Sequence, residues 1–188
     1  MSNFLNDIYR TAALSPSECE TLHGLHTFRK AKIGEKLLIH GEKADYYWVV
    51  ECGLLRSLVI SPGGKDITTQ FYAAGEIALE FNGFFLRNRC LESIEVLSDA
   101  HLWQVTHQDF AAFMKAHGPF GTWGRNWMVN GLLARERFHL SMHTEPARER
   151  YIQLMQERPE VIQLSPLKYI ASYLGITDSS MSRLRKHL

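Results

Sequence analysis

A chain of 188 residues with 45% hydrophobic side chains has material for real cores and suits one or two domains. A net charge of +1 on 22% charged residues excludes neither a nucleic acid nor a small molecule as partner, but the distribution is uneven. From Ala147 onward seven basic residues stand against four acidic ones, whereas the preceding stretch has 14 against 16, so a mildly basic tail follows a mildly acidic body. Cys19, Cys52 and Cys90 form no CxxC pair, which speaks against a disulfide framework and for small buried hydrophobes at Cys52 and Cys90. No apolar run reaches the roughly 18 residues of a membrane helix, and MSNFLNDIYR is not signal-like. The expectation is a soluble cytoplasmic protein with no membrane partner.

In chain order, Phe4, Leu5, Ile8 and Leu14, then Leu22 and Leu25, fall at helical intervals. Ser15 with Glu18 has the form of a capping box, and Pro16 sits where a missing N–H costs nothing. Between about 28 and 108 the period changes. EKLLIH, DYYWVVE, GLLRSLVI and DITTQFY are separated by glycines at 8 to 12 residue spacing, the pattern of an all-β sandwich or barrel. In SPGGKD, the Gly63-Gly64 pair is expected to take the positive φ of a tight hairpin. Strands resume in SIEVLSDAHLWQVT. Helical periodicity returns at THQDFAAFMKAHG, with Thr106 and Asp109 as a cap, and a longer helix runs from about Pro119 to His143. Its apolar residues cover more than one face, so it needs cover on two sides: the β-domain, and a twin of itself or another part of the same monomer. Glu145-Pro146 marks a break, after which Ala147 to Leu188 fits a three-helix module.

The run LKYIASYLGITDSSMSRL has what a helix-turn-helix requires. Ala171 is the small residue between two helices, Gly175 supplies the positive φ of the turn, and Ile170, Leu174, Ile176, Met181 and Leu184 are apolar pins. Thr177 is placed to cap a second helix whose outer side carries Asp178, Ser179, Ser182, Arg183, Arg185 and Lys186. Arg183 suits a guanine edge, Arg185 and Lys186 suit phosphates, and Asp178 suits the helix dipole or a cytosine amino group.

The series GEKADYYWVVECGLLRSLVI, PGGKDITTQFY and AAGEIALE resembles the cyclic-nucleotide-binding jelly roll. Together with the terminal motif, it resembles the Crp/Fnr family of transcription regulators over about residues 15 to 188. The fold class implied is α+β: an antiparallel β-roll with N-terminal helices over 1–118, a dimerisation helix and hinge over 119–146, and a helix-turn-helix domain over 147–188. The resemblance further implies a homodimer on a palindromic double-stranded DNA site, with RNA polymerase as a further partner and no enzymatic activity. The dimer helix would use Trp123, Trp127, Ala134 and Phe138. In members that bind cyclic AMP, a Gly-Glu pair opens a cassette in which the Glu holds the ribose and an Arg before a Ser or Thr holds the phosphate. Gly75, Glu76, Ile77, Ala78 and Leu79 match the opening, but Glu92 stands at the Arg position before Ser93. Arg87 and Arg89 are the substitutes at hand, or solvated loop charges. A carboxylate facing a phosphate is repulsive, so the expectation is weak or absent cyclic AMP affinity, no cofactor, and an effector that the sequence does not name.

Three other patterns bear on function. A cupin-like β-roll enzyme would need clustered ligands, and His40, His101 and His107 lack the His-x-His spacing; a ligand- or protein-binding module with a structural helical hairpin is the remaining alternative. His139 and His143 stand one turn apart and could bind a metal together with a partner chain, but are read as exposed or interface histidines. Ser165-x-x-Lys168 matches a penicillin-binding pattern by chance, since its companion motifs are missing.

Overall fold

A computed structural model describes residues 3–186. Helices α1 (Asn3–Tyr9) and α2 (Pro16–Gly24) lead in, and the capping box forms: the Ser15 hydroxyl accepts from the Glu18 N–H, while the Glu18 carboxylate accepts from the Ser15 N–H at 2.8 Å.

Eight strands follow: β1 (Thr27–Ala31), β2 (Lys36–Leu38), β3 (Tyr46–Cys52), β4 (Leu55–Ile60), β5 (Asp66–Tyr72), β6 (Ile77–Ala78), β7 (Ser93–Val96) and β8 (Ala100–Thr106), with a short helix α3 (Phe81–Leu86) after β6. They form two antiparallel four-stranded sheets, in the orders β1-β8-β3-β6 and β2-β7-β4-β5. Strand β3 reads YYWVV without alternation because both its faces are covered: Tyr47, Trp48, Val49 and Val50 are all buried, Tyr47 against the rings of Phe84 and Phe110. The β4–β5 hairpin departs from expectation in one detail. Only Gly64 takes a positive φ, +77°, and Ser61 stabilises the turn by accepting from the N–H groups of Gly64 and Lys65. Of the cysteines, Cys90 is buried as expected, but Cys52 is exposed, because it ends β3 at a register shift against β8.

Helix α4 (His107–Ala116), capped by Thr106 accepting from the Asp109 N–H at 3.0 Å, precedes the 27-residue α5 (Gly118–Thr144). Then come α6 (Ala147–Glu157), α7 (Pro159–Leu164), α8 (Leu167–Tyr173) and α9 (Asp178–Lys186), so the terminal stretch has four helices where three were expected. Pro159 begins α7 directly after Arg158 and splits what periodicity reads as one helix.

Helix α5 has two distinct faces. Phe120, Trp123 and Ser141 are buried in their own chain, Trp127 stacks on Phe81, and Phe138 stacks on Tyr173 at 4.4 Å. Trp123, Trp127 and Phe138 therefore belong to the face that packs inward, and of the four residues expected at a dimer contact only Ala134 is exposed. The opposite stripe leaves Val129, Leu132, Leu133 and Leu140 in solvent.

Two apolar cores result. The larger fills the roll and runs up under α1, α4 and the first half of α5. The second joins Leu54, Phe71, Ala73 and Leu97 of the roll to Tyr151, Leu154, Val161, Ile170, Ala171, Leu174 and Met181. The terminal helices are thus docked on the roll.

Candidate effector pocket and DNA-reading helix

The cassette residues are brought together, but their side chains are committed elsewhere. Gly75 and Glu76 lie in the tight connection from β5 to β6, tied to β3 by the Gly75 N–H to the Val50 carbonyl and the Val50 N–H to the Glu76 carbonyl, both at 2.9 Å. The Glu76 carboxylate accepts from the Ala73 N–H at 2.7 Å and pairs with Arg158, at the junction of α6 and α7. Burial pushes the Glu76 carboxyl up, and the Arg158 guanidinium opposes that shift. Ile77, Ala78 and Leu79 are buried. The Tyr72 hydroxyl fills the space near them, bonded to Ser57 at 3.0 Å and to the Leu79 carbonyl at 3.5 Å. Burial raises Tyr72 to about 12; Arg135 on α5 opposes this, and Glu92 and Glu76 add to it.

The amides at the start of α3 would be natural anion donors, yet the chain answers them itself. Buried Glu80 caps the helix, accepting from the Gly83 N–H at 2.5 Å and from the Leu91 N–H at 3.4 Å. Burial, then the Glu80 carboxylate, raises the neighbouring Cys90 thiol to about 12. Ser93 is buried, and its hydroxyl accepts from the His40 N–H at 2.9 Å. Arg87 binds the Ala44 carbonyl at 2.7 Å and Asp45 at 2.5 Å, and Arg89 binds the Gly41 carbonyl at 2.9 Å, so both arginines hold the 41–45 loop. With Glu92 where an arginine would stand and Glu80 on the helix amides, these residues do not fit a cyclic phosphate. Glu80 is legible in the sequence only as a capping acid three residues before Gly83, and Tyr72 only as a strand aromatic.

The helix-turn-helix is built as its motif requires. Ala171 is fully buried between α8 and α9, Gly175 turns the chain at φ +70°, and the Ile176 N–H closes the turn on the Ala171 carbonyl at 3.0 Å. The Thr177 hydroxyl accepts from the Ser180 N–H at 3.2 Å and caps α9. Met181 is buried and Leu184 half-buried, which leaves Asp178, Ser179, Ser182, Arg183, Arg185 and Lys186 on the exposed side. His187 and Leu188, the last two positions of the expected head, lie outside the described residues.

Sequence reasoning missed the joint between head and roll. Ser172 on α8 completes the free edge of β5, accepting from the Thr68 N–H at 3.1 Å and donating to the Asp66 carbonyl at 3.3 Å. Arg56, 1% exposed, is held by Asp66 and Glu95 at 2.7 Å, and the Tyr169 ring covers its guanidinium at 3.4 Å. Arg150 ties α6 to the carbonyls of Ser141, at 3.2 Å, and Leu174, at 2.9 Å. Arg158 also reaches the Phe71 carbonyl at 3.1 Å. Isolated arginines and one serine carry no sequence signature for such a role.

Residues 28–117 match the cyclic nucleotide-binding domain family. The structure is similar to that of FixK2 from Bradyrhizobium japonicum (TM-score 0.75, 19% identity, 87% of this chain and 84% of that one). A protein from Eubacterium rectale assigned to the Crp/Fnr family of transcriptional regulators gives 0.74, with 15% identity over 99% of this chain and 87% of that one. The fold is that of the Crp/Fnr regulators. The catabolite activator protein of Thermus thermophilus follows at 0.61, with 16% identity over 96% of this chain and 85% of that one. No curated protein sequence matches the chain. The cupin-like alternative is not favoured: His101 packs on Phe28 and His107 on Phe84, and no group of three metal-capable side chains exists among the described residues. Nor is any described helix long and apolar enough to cross a membrane.

Proposed function

We propose that this chain is a homodimeric DNA-binding transcription regulator of the Crp/Fnr type whose β-roll is not gated by cyclic AMP. The observation that carries the reading is the exposed face of α9, with Arg183, Arg185 and Lys186 outward and Met181 pinned inward, mounted on a roll of the cyclic nucleotide-binding class. Such a helix presents Arg183 to a base edge in the major groove and sets Arg185 and Lys186 against phosphates. Asp178, Ser179 and Ser182 complete the contact surface, and Thr177 holds its start.

Dimerisation follows from α5. Its outer stripe of Val129, Leu132, Leu133 and Leu140 falls on one helix face, at i, i+3, i+4 and i+11, and has no cover in the monomer. Pairing two such stripes removes them from water. Because α5 leads directly into α6, two α5 helices that run parallel bring both reading heads to one end, where they meet half-sites about 34 Å apart.

The test is selection of a duplex from random sequence, followed by anisotropy titration. A palindromic site, affinity that falls steeply with salt, and loss of about 10- to 100-fold on Arg183→Ala with the fold intact are expected. Equal binding of all sequences by the wild type would refute the reading. Calorimetry with cyclic AMP is expected to give no heat.

A further inference from the structure

The outer stripe of α5 is apolar only in its first half. Continued at the same spacing, Val129, Leu132 and Leu133 are followed by Glu136, His139 and His143, with Leu140 beside them, and all of these are exposed. In heptad terms Val129, Glu136 and His143 occupy one core position, and Leu132 and His139 the other. The dimer described above therefore places two carboxylates and four imidazoles around its two-fold axis, within two turns of helix. Without compensation this is a poor interface, since Glu136 would face its own copy as a like charge. Arg135, beside Glu136, is turned toward the Phe81 ring at 5.5 Å, and the exposed Arg125 lies on the stripe but 11 residues before Glu136.

One kind of occupant relieves the conflict. His139 and His143 stand at i and i+4, with ring centroids 4.8 Å apart, so both imidazoles project over the same turn. Glu136 and His139 stand at i and i+3, the Glu-x-x-His spacing that places a carboxylate beside a metal-binding imidazole in helical bundles. A single chain offers no group of three metal-capable side chains among the described residues, so any such site is incomplete until a second copy arrives.

We infer that the α5 pair binds one divalent transition-metal ion, zinc or a borderline ion of similar chemistry, on the two-fold axis through His139 and His143 of both chains, with Glu136 as their carboxylate partner. Four neutral imidazoles match the preference of zinc for tetrahedral nitrogen ligands. The positive charge of the ion offsets the facing carboxylates, and the metal then favours the dimer over the monomer by mass action. This takes up the lesser of the two sequence readings of the histidine pair and rests on the parallel α5 dimer.

The experiment uses the full chain stripped with a chelator. Sedimentation equilibrium is run with chelator and with zinc chloride, and cobalt(II) is titrated in parallel for its visible absorption. The expected result is one ion per two chains, tetrahedral cobalt bands, and dimerisation tightened about tenfold or more by zinc. The double variant His139→Ala, His143→Ala should lose all three effects yet still dimerise in chelator through the leucines. Glu136→Gln should tighten the metal-free dimer and weaken its response to zinc, opposite changes that a merely structural residue would not produce. Dimers that take up no ion at this stoichiometry, or that take it up equally in the double variant, overturn the metal site and leave the dimer standing. A chain that stays monomeric in both conditions overturns the dimer and the site with it.

Discussion

The larger core, shared by the β-roll and helices α1, α4 and α5, is filled by rings and aliphatic chains that meet one another, whereas the joint between the roll and the terminal helices adds arginines to its apolar cluster. In the first, Phe120 is fully buried against the rings of Tyr9, Phe110, Phe113 and Trp123, at centroid distances of 5.0–5.9 Å. In the second, Arg56, Arg150 and Arg158 reach carboxylates, carbonyls and one aromatic face. An aromatic side chain has no comparable partner in water, so the first core persists as long as the fold does. The partly exposed Arg158 guanidinium can exchange its partner for water or another anion at modest cost, whereas the buried Arg56 and Arg150 cannot. Arg158 is consequently the contact of the joint that costs least to release.

The largest expected effect lies in the first core. Phe120→Ala removes a ring that the surrounding rings cannot collapse onto, and should cost about 3–5 kcal/mol of stability in urea unfolding. A cost under about 1 kcal/mol would mean that the aromatic cluster is not the permanent element of the comparison.

Much of that first core was legible in the sequence. The strand segments, the capping acts of Ser15 and Thr106, the long helix and the Ala171–Gly175 turn all rest on local chemistry, in which a residue type and a spacing suffice. The joint was not legible, because it depends on residues distant along the chain: Ser172 meets Thr68 and Asp66, and Arg158 meets Glu76 and Phe71. The same limit applies to Trp123, Trp127 and Phe138, expected at a dimer contact and found packed inward. Periodicity shows that α5 has apolar residues on two sides, but which side faces inward is decided by Phe81 and Tyr173, partners from other parts of the chain. Glu76 is assigned to the cassette by pattern, while its engagement by Arg158 is invisible to that pattern.

The second effect comes from acid and again concerns the first core. Buried His26 lies between the Leu22 carbonyl, 2.8 Å from Nδ1, and the Tyr9 hydroxyl, 2.9 Å from Nε2. These partners assign the proton to Nδ1 and leave Nε2 to accept from Tyr9. Burial lowers its pKa from 6.5 to about 4. A folded value below the unfolded one means the contribution is complete above pH 6.5 and is lost as pH falls toward 4, amounting to about 3 kcal/mol. The exposed Glu18 carboxylate, held down to about 2 by Ser15 and then by His117, changes stability in the same direction on acidification. Urea midpoints measured at pH 7.5 and pH 5 should therefore drop on acidification, and His26→Asn should shrink the drop. An unchanged drop in that variant would place the acid sensitivity elsewhere.

The smallest effect on stability is the most informative about the joint. Arg158→Ala removes the partner of Glu76 and a donor to the Phe71 carbonyl. Both charged side chains are partly exposed, so global stability should fall by only about 1 kcal/mol. The local consequence should be larger, because Glu76 sits on the cassette of the roll while Arg158 belongs to the terminal helices, and a carboxylate engaged by one is unavailable to a ligand of the other. Amide exchange at Thr68, whose N–H is protected by Ser172 across the same joint, should accelerate well before exchange in β3. Arg158→Lys keeps the charge without the fork that spans the carboxylate and the carbonyl, and should fall between the two. If Thr68 and β3 exchange together in Arg158→Ala, the arginines do not form a separable joint, and the roll and reading head open only when the whole chain unfolds.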